Sequence, residues 1–170
     1  RDYQRRANRA SASTGNMEIN IELEANTNTE AQLIFDPTVG DIIKARGVGS
    51  LNLKVVPKAN IFEMYGDYEI TEGSYLFTLQ NIVNKYFDIE GGSLIRWTGD
   101  PMNANLDINA VYRLRASLQP LLASTTLDNV TRAVPVECII NLTDRLSNPT
   151  VNFDIRVPNA DAEIQAAVAN

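Results

Sequence analysis

Acidic pairs are the residues of this chain whose types and spacing come nearest to chemistry. Asp88 with Glu90, Glu18 with Glu22 and Asp67 with Glu69 stand at even spacing, which puts each pair on one face of an extended strand. Two carboxylates so placed are the minimum for glycoside hydrolysis. Each pair alternates with apolar side chains, however, and so reads as a solvated outer face. The chain has no histidine, which removes the commonest general base, the commonest metal ligand and every Ser-His or Cys-His nucleophile pair. Its one cysteine, Cys138, falls in the apolar series Val134, Val136, Cys138, Ile140, Leu142 and reads as a small buried hydrophobe. One thiol gives neither an internal disulfide nor a cysteine zinc site.

The glycine motifs are equally poor in chemistry. Gly47-Val48-Gly49 lacks the third glycine and the helix of a dinucleotide loop, and Gly91-Gly92 has neither a neighbouring lysine nor a following helix. Both are expected to be turns. Asp100 in Gly99-Asp100-Pro101 and Asp36 before Pro37 are placed to stabilise turns through a side-chain acceptor. Asn141-Leu142-Thr143 matches a glycosylation sequon but lies inside an expected strand. With no metal cluster and no convergent polar group, neither enzyme activity nor a cofactor is expected.

The elements that carry these residues follow from hydrophobic period. From Met17 onward apolar residues recur every second position, the spacing of a strand with one dry face. Met17, Ile19, Ile21 and Leu23 oppose Glu18, Asn20, Glu22 and Glu24. The same alternation carries Leu51, Leu53 and Val55; Phe62, Met64, Tyr68 and Ile70; Tyr75, Phe77 and Leu79; Phe87 and Ile89; and Ile95 and Trp97. It continues through Leu106, Ile108, Ala110, Tyr112 and Leu114, then over residues 134–142 and 151–157. Turn signals between the runs include Pro57-Lys58-Ala59-Asn60, Glu72-Gly73 and Ser147-Asn148-Pro149. Most connections are short, so antiparallel neighbours are expected. Residues 118–129 read as a long crossing loop, and Asn159 to Glu163 as the start of a short C-terminal helix. The arginine-bearing opening, residues 1–16, reads as a linker from preceding sequence, leaving 17–170 as one β-domain.

Composition narrows the partners. Against 15 Lys+Arg stand 21 Asp+Glu, a formal net charge of −6 that gives no general attraction to phosphate backbones, and no nucleic-acid partner is expected. No apolar run approaches the roughly 18 residues of a membrane helix.

So many one-sided strands, with so little helix, must hide their apolar faces against one another. A closed barrel, a two-sheet sandwich and a sheet folded into a trough all satisfy that demand. Phe62, Phe77, Phe87, Trp97 and Phe153 with Tyr68, Tyr75 and Tyr112 are bulky enough to fill a sandwich core, and alternation alone does not separate the three. A trough too wide to fill would serve acyl chains, while unpaired sheet edges would accept another strand.

An ordered series of short motifs adds a resemblance. Arg46-Gly47-Val48-Gly49-Ser50-Leu51, Tyr68-Glu69-Ile70-Thr71-Glu72-Gly73-Ser74-Tyr75, Trp97-Thr98-Gly99-Asp100-Pro101, Ala110-Val111-Tyr112-Arg113, Pro135-Val136-Glu137-Cys138 and Asn148-Pro149-Thr150-Val151 occur in that order. Together they resemble the C-terminal domain of TamB, the translocation and assembly module subunit, in its Bacteroidetes form. The likeness runs from about Met17 to Asn170.

The resemblance implies an all-β, mostly antiparallel sheet curled into a taco-like trough with a hydrophobic interior, related to AsmA-like and bridge-like lipid transfer proteins. It implies a periplasmic, cell-envelope location in a Gram-negative bacterium, as a fragment of a longer protein anchored in the inner membrane. The implied partners are phospholipid or another acyl-chain ligand and an Omp85-family outer-membrane barrel such as TamA. The implied role is phospholipid transfer between the membranes and support of outer-membrane protein assembly. A docking module that pairs barrel strands along its edges, without conducting lipid, is the alternative; a glycan-binding or hydrolytic sandwich is a third class. The groove lining expected from alternation is Leu51, Leu53, Val55, Phe62, Met64, Tyr68, Ile70, Tyr75, Phe77, Leu79, Phe87, Ile89, Ile95, Trp97, Leu106, Ile108, Tyr112, Val136, Ile140, Phe153 and Ile155.

Overall fold

The computed structural model describes residues 16–36, 40–79, 83–117 and 133–158. Within them the alternating segments become β1 (Ile19–Ala25), β2 (Glu30–Asp36), β3 (Asp41–Val56), β4 (Ile61–Leu79), β5 (Val83–Ile89), β6 (Ser93–Gly99), β7 (Asn105–Ala116), β8 (Val134–Arg145) and β9 (Asn148–Arg156). They form one nine-stranded sheet in the order β1-β3-β4-β5-β7-β8-β9, with β2 on β3 and β6 between β4 and β7. Every pairing is antiparallel. The fold is thus the expected all-β sheet. The expected crossing loop and C-terminal helix, and all but the last residue of the expected linker, lie outside the described residues.

The turns are built as their residues demand. Pro57 opens a single 3-10 turn between β3 and β4, and Asn60 closes it at φ 51, donating its N–H to the Pro57 carbonyl at 3.2 Å. Between β6 and β7, Asp100 accepts from the Met102 N–H at 2.9 Å and from Asn103 Nδ2 at 3.1 Å. The indole of Trp97 caps the same turn by donating to the Pro101 carbonyl at 3.2 Å.

Two rows of the sheet hold strands laid end to end. β2 pairs with the first part of β3 and β1 with the second, while β5 and β6 share the space between β4 and β7. The breaks line up across the sheet. Residues 26–29 separate β1 from β2, the β3–β4 register shifts between Arg46 and Gly47, and Glu90-Gly91-Gly92 separate β5 from β6. A transverse crease results, and bulges of this kind bend strands and increase their twist.

The backbone groups freed at the crease find partners, as buried polar groups must. Gly92 N–H donates to the Ile70 carbonyl at 3.0 Å and Glu90 N–H to the Asn109 carbonyl at 2.8 Å. The buried Ser93 hydroxyl donates to the Glu90 carbonyl at 2.8 Å and accepts from the Asn109 N–H at 3.1 Å. Thr71 Oγ1 donates to the Arg46 carbonyl at 3.0 Å.

The crease corrects two readings of the sequence. Phe62 to Ile70 and Tyr75 to Leu79 belong to a single strand, and Glu72-Gly73 is no turn. Arg46 pairs with Glu72 but Gly47 with Ile70, so Thr71 is an added residue that reverses the parity and keeps both apolar runs on one face. Gly47 and Gly49 likewise lie inside β3, where a Cβ on Gly47 would fall against the Glu69 carbonyl of β4. Gly66 of β4, at φ 128, makes the same close approach to the Ser50 carbonyl of β3. These glycines allow two backbones to approach rather than the chain to reverse.

Cross-strand register then joins the dry faces. Ile43 pairs with Tyr75 and Tyr75 with Phe87; Tyr68 with Ile95 and Ile95 with Leu106; Ile89 with Ala110, Ala110 with Ile140 and Ile140 with Phe153. Ile43 of β3 and Leu142 of β8 belong to one packed cluster, and Phe77 of β4 meets Phe153 of β9 edge to face at 5.4 Å between centroids. Strands well separated in the sheet order therefore touch, and the sheet curls over its own apolar face.

If Ser93 secures the crease, Ser93→Ala leaves the Asn109 N–H without its acceptor and lowers unfolding free energy by about 1–3 kcal/mol in urea denaturation. A loss below about 0.5 kcal/mol would show that the serine hydroxyl does not hold the break.

Candidate functional site

The register places every expected groove residue on the inward face of the curled sheet. Leu79 shares that register through its backbone partner Val83, but its side chain lies outside the described residues. What the face does with these residues differs along its length. Leu51, Tyr68, Ile70, Tyr75, Phe87, Ile89, Ile95, Leu106, Ile108, Val136 and Ile140 are buried, with Ile70, Ile108 and Ile140 at 0% exposure. Leu53, Val55, Met64, Phe77, Trp97 and Tyr112 are half-buried. Phe62 at 49%, Phe153 at 62% and Ile155 at 39% remain open to solvent. The middle of the trough is thus packed shut, and its rims are not.

The rims also hold apolar residues beyond the expected lining. Ile19, Ile21 and Leu23 of β1 pair with Val55, Leu53 and Leu51 and so extend the same face, with Ile21 46% and Leu23 48% exposed. Val151 of β9 pairs with Leu142 and is also exposed. Their alternation is plain in the sequence; that β1 flanks the end of β3 is a fact of pairing that alternation does not carry.

Aromatic rings line one end of the face. Phe77 lies 6.0 Å from Tyr75 and 6.1 Å from Phe87, both edge-on, and Phe87 lies 5.6 Å from Tyr112. Such ring pairs add about 0.5–1.5 kcal/mol to their burial. Lys85 pairs in register with Phe77, and its Nζ stands 5.7 Å from the centre of the Tyr112 ring.

The two buried tyrosines of the inward face have their hydroxyls engaged. The Tyr75 hydroxyl donates to Asp41 Oδ2 at 2.9 Å, while Asp41 Oδ1 accepts from the Thr78 N–H at 2.8 Å. Burial, then that carboxylate, pushes the Tyr75 phenol far above its ordinary range. The Tyr68 hydroxyl donates to the Ala45 carbonyl at 3.3 Å, and burial raises its pKa as well. The acid pairs stand on the outer face. There Arg96 forks onto Asp67 at 2.7 and 2.8 Å and holds that carboxyl below the usual range. Arg113 reaches Glu137 at 3.0 Å and Asp88 at 3.7 Å, and Lys54 reaches Glu18 at 3.6 Å. Ion pairs at a solvated surface contribute little to stability. Among the described residues no three His, Cys, Asp or Glu come together to hold a metal ion.

Comparison with protein families matches residues 2–168 to the TamB C-terminal domain. No curated protein matches the chain.

Cys138 reports on the packing of the inward face. It pairs with Tyr112 and Ile155, lies half-buried against the core, and burial pushes its thiol up. Fewer thiolates at neutral pH and restricted access predict alkylation by iodoacetamide about tenfold slower than in the urea-unfolded chain. Labelling at the unfolded rate would put the thiol outside the packed face.

Proposed function

The chain belongs to the TamB C-terminal domain family, a non-enzymatic component of cell-envelope assembly and transport, and from that premise we propose that its inward face is a hydrophobic β-groove for phospholipid moving between the inner and outer membranes. Residues 17–170 act as one β-domain, tethered through residues 1–16 to a longer, inner-membrane-anchored protein in the periplasm of a Gram-negative bacterium. An Omp85-family barrel such as TamA is the partner at the outer membrane, where the same groove supports assembly of barrel proteins.

The exposed apolar rim carries this reading. Phe62, Phe153, Ile21 and Leu23 are each about half or more exposed on a face whose centre is dry. Contiguous exposed apolar surface marks a site for an apolar partner. An acyl chain laid along the rim keeps roughly 0.8 kcal/mol per buried methylene, enough to hold it during transit without the trap of a closed cavity. The packed centre keeps the sheet curled, and half-buried Leu53, Val55, Met64, Phe77, Trp97 and Tyr112 form the slope between centre and rim.

One observation favours the docking alternative. β1 and β9 end the sheet order, so each has a side whose backbone groups pair with no described strand, and such an edge accepts an added strand. Crosslinks from β1 or β9 to a barrel partner would support edge pairing.

Native mass spectrometry of the chain incubated with phosphatidylethanolamine separates the two readings. The groove predicts a lipid adduct of discrete stoichiometry that falls at least several-fold in Phe62→Glu and Ile21→Glu, both solvent-exposed positions that tolerate charge. A chain that stays free of lipid would contradict the groove. Ile108→Asp is unsuitable as a probe, because an unpaired carboxylate at a fully buried position unfolds the sheet.

A further inference from the structure

The cations of this sheet are sorted by face, with one exception. Lys44, Arg46, Lys54, Arg96, Arg113, Arg115, Arg145 and Arg156 fall on the outer face by register. There Arg46, Lys54, Arg96, Arg113 and Arg156 each reach a carboxylate within 4.0 Å. Lys85 is the one Lys or Arg of the described strands on the inward face: it pairs with Phe77, two residues before the buried Phe87. Its side chain is exposed, and the contact it makes is with the Tyr112 ring at 5.7 Å.

A lysine on an apolar strand face is unfavourable unless its stem lies on the apolar surface and its ammonium reaches water. Lys85 meets that condition at the mouth of the aromatic end, beside exposed Phe153 and half-buried Phe77 and Tyr112. Asp41, an acid on this face, has its oxygens engaged by the Tyr75 hydroxyl and the Thr78 N–H. The mouth therefore presents an apolar surface ending in an ammonium with no carboxylate partner among the described residues, which is the complement of an anionic amphiphile.

We infer that Lys85 receives the anionic headgroup of a phospholipid whose acyl chain lies against Phe77, Tyr112 and Phe153, so that this mouth selects lipids of net negative charge. The inference rests on the groove reading above and adds headgroup preference to it. Attraction in so exposed a place is modest and screened by salt.

The test uses the 170-residue chain with dihexanoyl-phosphatidylglycerol and dihexanoyl-phosphatidylcholine below their micelle concentrations, titrated by NMR at low salt. The phosphoglycerol lipid is expected to bind about three- to fivefold more tightly. Lys85→Met should bring the two lipids to equal affinity, Lys85→Arg should keep the preference, and added salt should shrink it. Equal affinities in the unaltered chain, or a preference that survives Lys85→Met, would overturn the headgroup assignment while leaving the groove intact. Failure of both lipids to bind would overturn the groove reading and this inference with it.

Discussion

A sheet with one apolar face and, among the described residues, no second layer has to supply its own cover. Everything else in this structure follows from that constraint. The inward faces of β3 through β9 join in register, curl, and meet across the concavity where Phe77 of β4 packs on Phe153 of β9. The curl draws backbones together at Gly47 and Gly66, where a Cβ would strike a neighbouring carbonyl. It also runs through a crease at which β1 gives way to β2, β3 shifts register on β4, and β5 gives way to β6. Ser93 and Thr71 satisfy the carbonyls and amides that the crease leaves without ladder partners.

Self-cover is incomplete, and the shortfall is where the proposed groove lies. A folded sheet can press its middle together, but its edge strands have no further described strand to lie against. Ile70, Ile108 and Ile140 are sealed in the middle, while β1 and β9 leave Ile21, Leu23 and Phe153 wet. The ionic groups are arranged to keep the other side soluble, with Asp67, Asp88, Glu18 and Glu137 facing arginines or a lysine on the outer surface. The hydroxyls of inward Tyr68 and Tyr75 are bonded and driven toward the neutral form.

Alternation at period two made the facing of the expected groove residues legible, because side-chain direction in a strand depends only on parity. Parity says nothing of what lies across the trough, so Ile108 and Phe153 looked equivalent in sequence although one is sealed and the other open. Glycine was ambiguous for a physical reason: a turn and a close backbone approach both exclude a Cβ. Gly47-Val48-Gly49 and Glu72-Gly73 therefore resembled chain reversals and proved to be strand interior. The parity change between Ile70 and Tyr75 suggested two strands where Thr71 forms a bulge in one. Adjacent Ile42 and Ile43 blurred the alternation at the start of β3, and Ala31 and Leu33 were too sparse a signal for β2. The family likeness was legible because its motifs fall in order along nearly the whole chain, and the match over residues 2–168 agrees with it.

On the proposed groove reading the rim of the inward face, and not its packed middle, takes the apolar chain. Intermolecular NOEs from the acyl protons of a bound short-chain phospholipid to the isotope-labelled methyl groups of this chain test it most directly. NOEs are expected to Ile19, Ile21, Leu23, Val151 and Ile155, and none to Ile70, Ile108 or Ile140. NOEs to the central isoleucines would mean that the trough opens and the chain passes through its middle, contradicting the closed centre described above.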